Sequence, residues 1–515
     1  MNFNKIDKIL YDYQKDVVKI VYKNKKGIVV MPTGTGKTFV QAAILAKNII
    51  ENDNKFGVYV INAPRIMLSY QLLKEVYAFL TSNDFGLNID AKYMCVHSGN
   101  DFDVEDFEKI RQDSGVPFNQ IKSSTSYLEI SEEIKNAKKL DIPLILFSTY
   151  HSSTRIEDAR KGIVKSIKLI LNDEAHYLVT NQFHENIETI KTDKQFFFTA
   201  TTRVTASDEG QGMNNIDKYG TILHEMTPRE AIEKGKMVRP RLHFVKSDAT
   251  ITRENLDKNI GKLINESFLE HQHALNGLAP KMMITVNGFE EMDRFKNSKE
   301  YKKMMLIGVN IYMVHSNSDI GNMINGKRYS RYKWLKRLKA DGEIMDQKLI
   351  VMHYAIIAEG IDVPGLTGVL LLRSLKKSSF IQTFGRVARL QKIDKEMVNS
   401  GVINPHDLDD MIKPYGWIIL PSIVAEDLDN IEHLSSLVYA LREFDFDTSE
   451  DIIVSERNAK GAKKFEGPDA LLELKIRLPA ISEGLENIEA EYEDEFFASL
   501  VNDKNDKDII DFMLK

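Results

Sequence analysis

The sequence predicts an α/β protein built from two successive parallel-sheet units, followed by a helical, charged C-terminal extension. Three observations carry that expectation. Short, continuous apolar runs alternate with longer amphipathic segments, and each run ends in polar residues. A strand covered on both faces by crossover helices reads as an unbroken apolar run, and such strands pair in parallel with ligands gathered at their carboxyl ends. The alternation runs from Ile28 to Phe198, breaks, and restarts at Met282. Finally, Ile28–Val30 breaks at Pro32 into a loop holding Gly34 and Gly36, and Lys37-Thr38 then opens an apolar-rich helix to about Ile50. That order of strand, glycine loop, Gly-Lys-Thr and helix is the context in which backbone N–H groups wrap phosphate oxygens.

Composition narrows the class. A chain of 515 residues holds two or three domains, and 43% hydrophobic with 28% charged content is ordinary for a soluble enzyme. Cys95 is the one cysteine, which excludes an internal disulfide and a cysteine-based zinc site and fits a reducing, cytoplasmic compartment. Met1–Leu10 alternates polar and charged residues, unlike a signal peptide, and no apolar run approaches the roughly 20 residues of a membrane span. No membrane partner is expected. The net charge of −6 does not advertise a nucleic-acid binder, although a local basic channel is compatible with an acidic remainder.

In chain order, a helix from Ile9 carries Val17, Val18 and Ile20 on one face, and Gln14 beside them. The Gln14 amide offers the donor–acceptor pair that suits an adenine edge; the plain alternative is a solvated helical glutamine. Four strand-to-loop passages follow the glycine loop. Val58–Ile61 leads to Asn62-Ala63-Pro64-Arg65, and Leu144–Phe147 leads to Ser148-Thr149-Tyr150. Ile167–Leu171 leads to Asn172-Asp173-Glu174-Ala175-His176, and Phe196–Phe198 to Thr199-Ala200-Thr201. Asn100–Asp141 is a polar excursion with no assigned role. Thr227-Pro228-Arg229-Glu230 is a capping box with Pro at the first helical position, and its short helix stops at Gly235. Met237–Val245 crosses into a second unit with strands Met282–Val286, Ile311–Val314, Leu349–His353, Val369–Leu372 and Trp417–Leu420. The expected domains are 1–236, 237–422 and a helical, acidic extension over 423–515.

The chemistry follows from these positions. Pro32, Thr33, Gly34, Thr35 and Gly36 form the phosphate cradle, Lys37 reaches the outer phosphates, and the Thr38 hydroxyl ligates Mg²⁺. Asp173 and Glu174 stand directly after a buried strand, where one carboxylate holds Mg²⁺ and its neighbour polarises the attacking water. Arg386 and Arg389, spaced i, i+3, are expected to share a helix face and to meet developing phosphate charge, the alternative being two solvated arginines. Gly360 and Asp362 belong to a glycine-rich loop that could face the same cleft. Lys327–Lys339 mixes basic residues with Tyr329, Tyr332 and Trp334; it reads either as a nucleic-acid contact or as an ordinary covering helix with Trp334, Leu335 and Leu338 inward.

Taken together, these motifs resemble a superfamily 2 helicase or translocase with two RecA-like domains, in the family's order over roughly Leu10–Arg389. Gln14 matches its adenine-reading glutamine and Met31–Thr38 its first motif, with Met31 in place of the opening glycine. Asn62–Arg65, Ser148–Tyr150, Asp173–His176 and Thr199–Thr201 match further motifs. Glu359–Asp362 matches the fifth and Gln382–Arg389 the sixth; Tyr11 stands where many relatives carry Arg. The resemblance implies ATP and Mg²⁺ as cofactors, catalytic roles for Lys37, Asp173, Glu174, Gln382, Arg386 and Arg389, and an ATP site closed between the two domains. It also implies coupling through His176, Thr199 and Thr201, and strand contacts from Pro64, Arg65 and Thr149. Asp-Glu-Ala-His alone suggests a DEAH-box RNA helicase, but the other signatures of that group are missing. Met-Pro-Thr-Gly-Thr-Gly-Lys-Thr, Tyr219-Gly220 and Thr227–Ile232 with Gly235 are similar to helicase subunits of restriction-type enzymes and related phage helicases, which act on duplex DNA. The implied activity is an ATP-dependent DNA helicase or translocase in a bacterial or phage-infected cell. An RNA helicase and a non-unwinding ATP-dependent clamp are the alternatives. No nuclease signature accompanies the motor, so cleavage requires a partner.

Overall fold

The computed structural model describes residues 4–81, 87–97 and 121–421, except 181–182, 184–185, 206–209, 246–247, 249, 252, 276, 315–320, 354–362, 374, 376 and 408–409; it further describes 441, 444 and 452–455. The chain divides into two compact units with the boundary between Met226 and Thr227.

The first unit is built on an eight-stranded sheet. Its strands are β1 (Lys26–Val30), β2 (Val58–Ala63), β3 (Lys92–Val96), β4 (Lys122–Ser123), β5 (Leu144–Thr149), β6 (Leu169–Asn172), β7 (Gln195–Thr199) and β8 (Ile222–Glu225). The order is β4-β3-β5-β2-β6-β7-β1-β8, and every pairing is parallel. All residues of β2, β5, β6 and β7 are buried, which is why these runs show no polar alternation. Alternate side chains still go to opposite faces. Tyr59 and Ile61 join a cluster with Val17, Val18, Ala42, Leu45 and Leu73, from helices Asp12–Lys23, Lys37–Glu51 and Ile66–Thr81. Val58 and Val60 join Ile130, Ile134 and Ile156, from helices Tyr127–Leu140 and Thr154–Arg160. Of the polar excursion Asn100–Asp141, residues 100–120 lie outside the described residues; the remainder supplies β4 and a covering helix.

The second unit holds a nine-stranded sheet: β9 (Arg239–Val245), β10 (Lys281–Thr285), β11 (Val309–Met313), β12 (Asn322–Ile324), β13 (Lys327–Tyr329), β14 (Lys348–His353), β15 (Gly368–Leu371), β16 (Tyr415–Pro421) and β17 (Ile452–Ser455). The order is β13-β12-β11-β14-β10-β15-β16-β9-β17, parallel except where β12 meets β11 and β13. Two expectations need correction. Within 423–515, read from sequence as helical, the described Ile452–Ser455 is a strand that pairs with β9; its Ile-Ile-Val run suits a pleated edge position. Lys327–Lys339 is strand and helix rather than helix alone. Asn325 (φ 51°) and Gly326 (φ 78°) make a two-residue hairpin turn whose twist matches the strands, so Lys327–Tyr329 folds back as β13 before the helix Arg331–Glu343 begins. On that helix Trp334 and Leu338 are buried, and Trp334 Nε1 donates to Met323 O at 2.9 Å, so the indole packs inward as the covering-helix reading expects. Among the described residues no helix is long and apolar enough to cross a membrane.

Three histidines of the second unit, His243, His271 and His353, are buried, and burial lowers the pKa of each, to about 3 for His271 and His353. His271 is held by Thr367, with Nε2 to Oγ1 at 2.8 Å. In the unfolded chain such rings titrate near about 6.5. Below that pH the unfolded state binds more protons than the folded one. This contribution to stability is therefore complete above pH 6.5 and is lost as pH falls toward about 3. The urea midpoint of the second unit is expected to fall between about pH 7 and pH 5, and His271→Gln to make that fall shallower. An unchanged slope in the variant would remove His271 from this account.

Candidate nucleotide site

Strand order builds the site. β6, β7 and β1 are neighbours and run parallel, so the three loops leaving their carboxyl ends emerge side by side. The loop after β1 begins at Met31, whose N–H donates to Thr199 O at 2.9 Å, tying it to the end of β7. It turns through Gly34 (φ 91°) and Gly36 (φ 84°), left-handed conformations that glycine adopts without strain. Gly36 is the N-cap of the helix Lys37–Glu51, so the first unpaired N–H groups and the positive end of the helix dipole open at this loop. A Cβ on Gly36 would lie 2.4 Å from Gln14 Nε2. Gln14 is thus packed against the loop and buried, while its Oε1 accepts from Tyr11 N at 3.1 Å. Within the loop Pro32 and Thr35 are buried, Thr33 and Thr38 half-buried, and Gly34 exposed.

The loop after β6 brings two carboxylates to the same place. Asp173 is buried; Gln41 Nε2 donates to its Oδ1 at 2.7 Å, and the Tyr150 hydroxyl donates to its backbone carbonyl. Burial, and then the neighbouring Glu174 charge, push the Asp173 carboxyl well above the ordinary carboxylate range, against the opposite pull of Lys37 and Gln41. Glu174 sits at φ 49°, a left-handed conformation that strains a residue with a Cβ. That turn places its Oε1 3.5 Å from Lys37 Nζ and its Oε2 3.4 Å from His176 Nδ1.

A polar relay then crosses from β6 to β7. His176 Nδ1 lies 3.0 Å from Thr199 Oγ1, and that hydroxyl donates to Thr201 O at 2.6 Å while accepting from Thr201 N at 3.2 Å. With its proton spent on Thr201, Thr199 Oγ1 accepts from His176, which assigns the hydrogen to Nδ1. Burial and the Arg203 cation push the His176 pKa down to about 3, so the ring is neutral at physiological pH. Among the described residues no three His, Cys, Asp or Glu side chains cluster as a metal cage. One buried carboxylate and a threonine hydroxyl nevertheless suit Mg²⁺, which usually keeps waters and substrate phosphates as its other ligands.

The structure brings Gln14, Lys37, Thr38, Asp173, Glu174, His176, Thr199 and Thr201 to one edge of the first sheet. Pro64, Arg65 and Thr149 follow or end β2 and β5, where Ala63 pairs with Thr149. Thr149 is buried, its Oγ1 donating to Ser152 Oγ at 3.2 Å. In the second unit Gln382 and Arg386 lie on the helix Lys377–Val387, and Arg386 is buried. Arg389 corrects the expectation of a shared helix face: the helix ends at Val387, and Arg389 instead makes an antiparallel bridge with Met237. Gly360 and Asp362 lie outside the described residues. Sequence reasoning missed Gln41 and Tyr150 as supports of Asp173. Gln41 had a signal, since it stands one helical turn after Lys37 and so on the same face; the Tyr150 contact depends on sheet order and had none.

Comparison with known proteins bears on the fold and on the family that the chain resembles. Residues 7–204 match the family described as Type III restriction enzyme, res subunit. The protein named "Putative helicase 22" of Sulfolobus islandicus filamentous virus (isolate Iceland/Hveragerdi) is 21% identical over 398 residues, covering 74% of this chain and 61% of the viral one. The structure of the Type ISP restriction-modification enzyme LlaBIII bound to DNA aligns with 92% of this chain and 32% of its own, at 18% identity and a TM-score of 0.59. A nuclease-deletion mutant of the Type ISP enzyme LlaGI, in complex with a DNA substrate mimic, aligns with 86% of this chain and 30% of its own at 18% identity and a TM-score of 0.48. This chain therefore spans less than two thirds of the length of each. The fold is the tandem RecA-like arrangement, and the chain is similar to superfamily 2 helicases of the restriction type.

Gln41→Leu should remove the side-chain donor from a buried carboxylate and cost the first unit about 1–3 kcal/mol. Urea unfolding followed in that unit measures it; a loss below about 0.5 kcal/mol would show that the contact is dispensable.

Proposed function

We propose that this chain, similar to superfamily 2 helicases, is an ATP-dependent DNA helicase or translocase. The observation that carries the reading is the convergence of Lys37, Asp173, Glu174 and the His176–Thr199–Thr201 relay at three adjacent strand ends. A bound Mg²⁺–nucleotide supplies a polarised terminal phosphate with charge to be neutralised. The N–H groups around Gly34 and Gly36 hold the phosphates, and Lys37 neutralises the outer oxygens. Thr38 and Asp173 would hold the metal, whose charge would offset the cost of keeping Asp173 ionised in a buried position. Glu174 orients and polarises the attacking water. Gln14 reads the base edge. Arg386 and Arg389 meet the charge that develops on the transferred phosphoryl group, with Gln382, Gly360 and Asp362 as further groups of the second domain at that site.

The relay gives a route from hydrolysis to nucleic acid. Glu174 touches His176, His176 donates to Thr199, and Thr199 fixes the backbone of Thr201 at the end of β7. A change at the water-polarising carboxylate is thereby felt at the carboxyl end of β7, on the same edge of the sheet as Pro64, Arg65 and Thr149 but separated from them by β6; we assign those three residues to strand phosphates. DNA is favoured as the substrate because residues 7–204 match a restriction-type family. A nuclease acting on the same DNA is the partner that such a motor implies.

Glu174→Gln is expected to bind ATP as tightly as the parent and to lose hydrolysis by orders of magnitude; unchanged turnover would remove Glu174 from the water-polarising role. Arg389→Ala should slow turnover about a thousandfold at nearly unchanged ATP affinity, and loss of DNA binding alone would overturn its assignment. The function itself is tested by steady-state ATPase rates without nucleic acid and with single-stranded DNA, duplex DNA or single-stranded RNA. Stimulation by DNA supports the reading, stimulation by RNA alone moves the chain to the RNA branch, and indifference to all three overturns it.

A further inference from the structure

The two arginines assigned to the phosphates are carried differently, and the difference is held in place by a buried lysine. Arg386 belongs to the helix Lys377–Val387, whereas Arg389 follows its end. The last carbonyls of a helix have no N–H partner within it. Here the carbonyls of the last helical residue and of the two residues after it are engaged from elsewhere in the unit. Val387 O and Arg389 O both accept from Lys413 Nζ at 2.5 Å, and Ala388 O accepts from Val238 N at 2.7 Å. Lys413 is 2% exposed and stands just before β16. Its own backbone is anchored by Asp394 in the first turn of the helix Lys392–Asn399: Asp394 Oδ1 accepts from Ile412 N at 2.8 Å and Oδ2 from Lys413 N at 3.0 Å. Asp394 is itself 0% exposed.

This is an expensive way to finish a helix. A glycine in the left-handed conformation satisfies such carbonyls without a buried amine, and taking an ammonium group out of water is costly unless it is paired. Burial pushes the Lys413 amine down to about 7, with the Asp394 carboxylate holding back part of that fall. What the arrangement provides, and a glycine cap does not, is a fixed backbone on both sides of Ala388. One amine grips the carbonyl of the last helical residue and that of Arg389, so the step from helix to Arg389 has no freedom of its own.

We propose that Lys413 is a positioning residue: by holding Val387 O and Arg389 O together, it sets where the Arg389 guanidinium stands relative to Arg386. The inference rests on the assignment of those arginines to the phosphoryl charge. Its test is a double-mutant cycle on the full chain, read as DNA-stimulated ATPase with kcat and KM for ATP separated. Lys413→Met keeps most of the side chain's length and removes the amine that makes both hydrogen bonds. It is expected to lower kcat at least tenfold while KM for ATP stays within twofold. Added to Arg389→Ala, it should cause no further loss. Wild-type kcat in Lys413→Met overturns the proposal, and so does an effect that multiplies with that of Arg389→Ala. Should Lys413→Met not fold, Asp394→Asn carries the same cycle, because it keeps the amine and weakens its anchor. A several-fold loss absent from the Arg389→Ala background supports the proposal; additivity overturns it. Arg389→Ala with parental turnover would instead overturn the underlying assignment of the arginines, an outcome visible before Lys413 is touched.

Discussion

Parallel pairing of β6, β7 and β1 is the constraint on which the candidate site depends. Parallel neighbours must send their exits to the same edge, so a glycine loop, a pair of carboxylates and a threonine turn arrive together although they are far apart in sequence. The pairing is secured by phenylalanines 196–198 of β7 and by the apolar runs of β1 and β6, all buried between helices. Core burial and the geometry of the candidate site are thus the same structural fact seen at two ends of the strands.

At that edge the electrostatics are deliberately unbalanced. Asp173 is buried beside another carboxylate, with Lys37 and the Gln41 amide as partial compensation, and its proton affinity rises accordingly. Glu174 occupies a strained backbone conformation that lets it face Lys37 and His176 at once. Stability alone would select neither feature. Both become reasonable where a divalent cation and a polyanion complete the charge balance, which is the physical content of the nucleotide-site reading.

The second unit solves a related problem with different means. Its helix Lys377–Val387 ends in the protein interior, where open carbonyls cannot be left to water, and a lysine from the approach to β16 answers them. An amine buried at a helix end beside the buried Arg386 is costly to keep charged, and burial pushes it down to about 7. Buried neutral histidines at three other positions add an acid sensitivity that belongs to the fold rather than to any site.

Much of this was legible in the chain itself. Continuous apolar runs identified parallel strands, because period and polarity are local properties of a strand buried on both faces. Gly34, Gly36, Lys37, Asp173 and Glu174 were legible for a similar reason: each needs a particular residue type at the end of a strand, and that requirement is written locally. The capping box at Thr227 and Glu230 forms as its four residues predict, with Thr227 N donating to Glu230 Oε2 at 2.9 Å. Where local pattern competed with distant partners, it failed. The i, i+3 spacing of Arg386 and Arg389 suggested one helix face, but Lys413 and Val238 draw the chain out of the helix between them. Ile452–Ser455 read as part of a helical stretch until the open edge of β9 was there to receive it. The sequence by itself therefore determined the strands, the glycine loop and the placement of the acidic pair, since short-range periodicity and backbone freedom are intrinsic to a few neighbouring residues. Only the tertiary structure decided the strand order, the relay from Glu174 to Thr201 and the seat of Arg389, because those rest on hydrogen bonds between segments that meet only when the sheet is assembled.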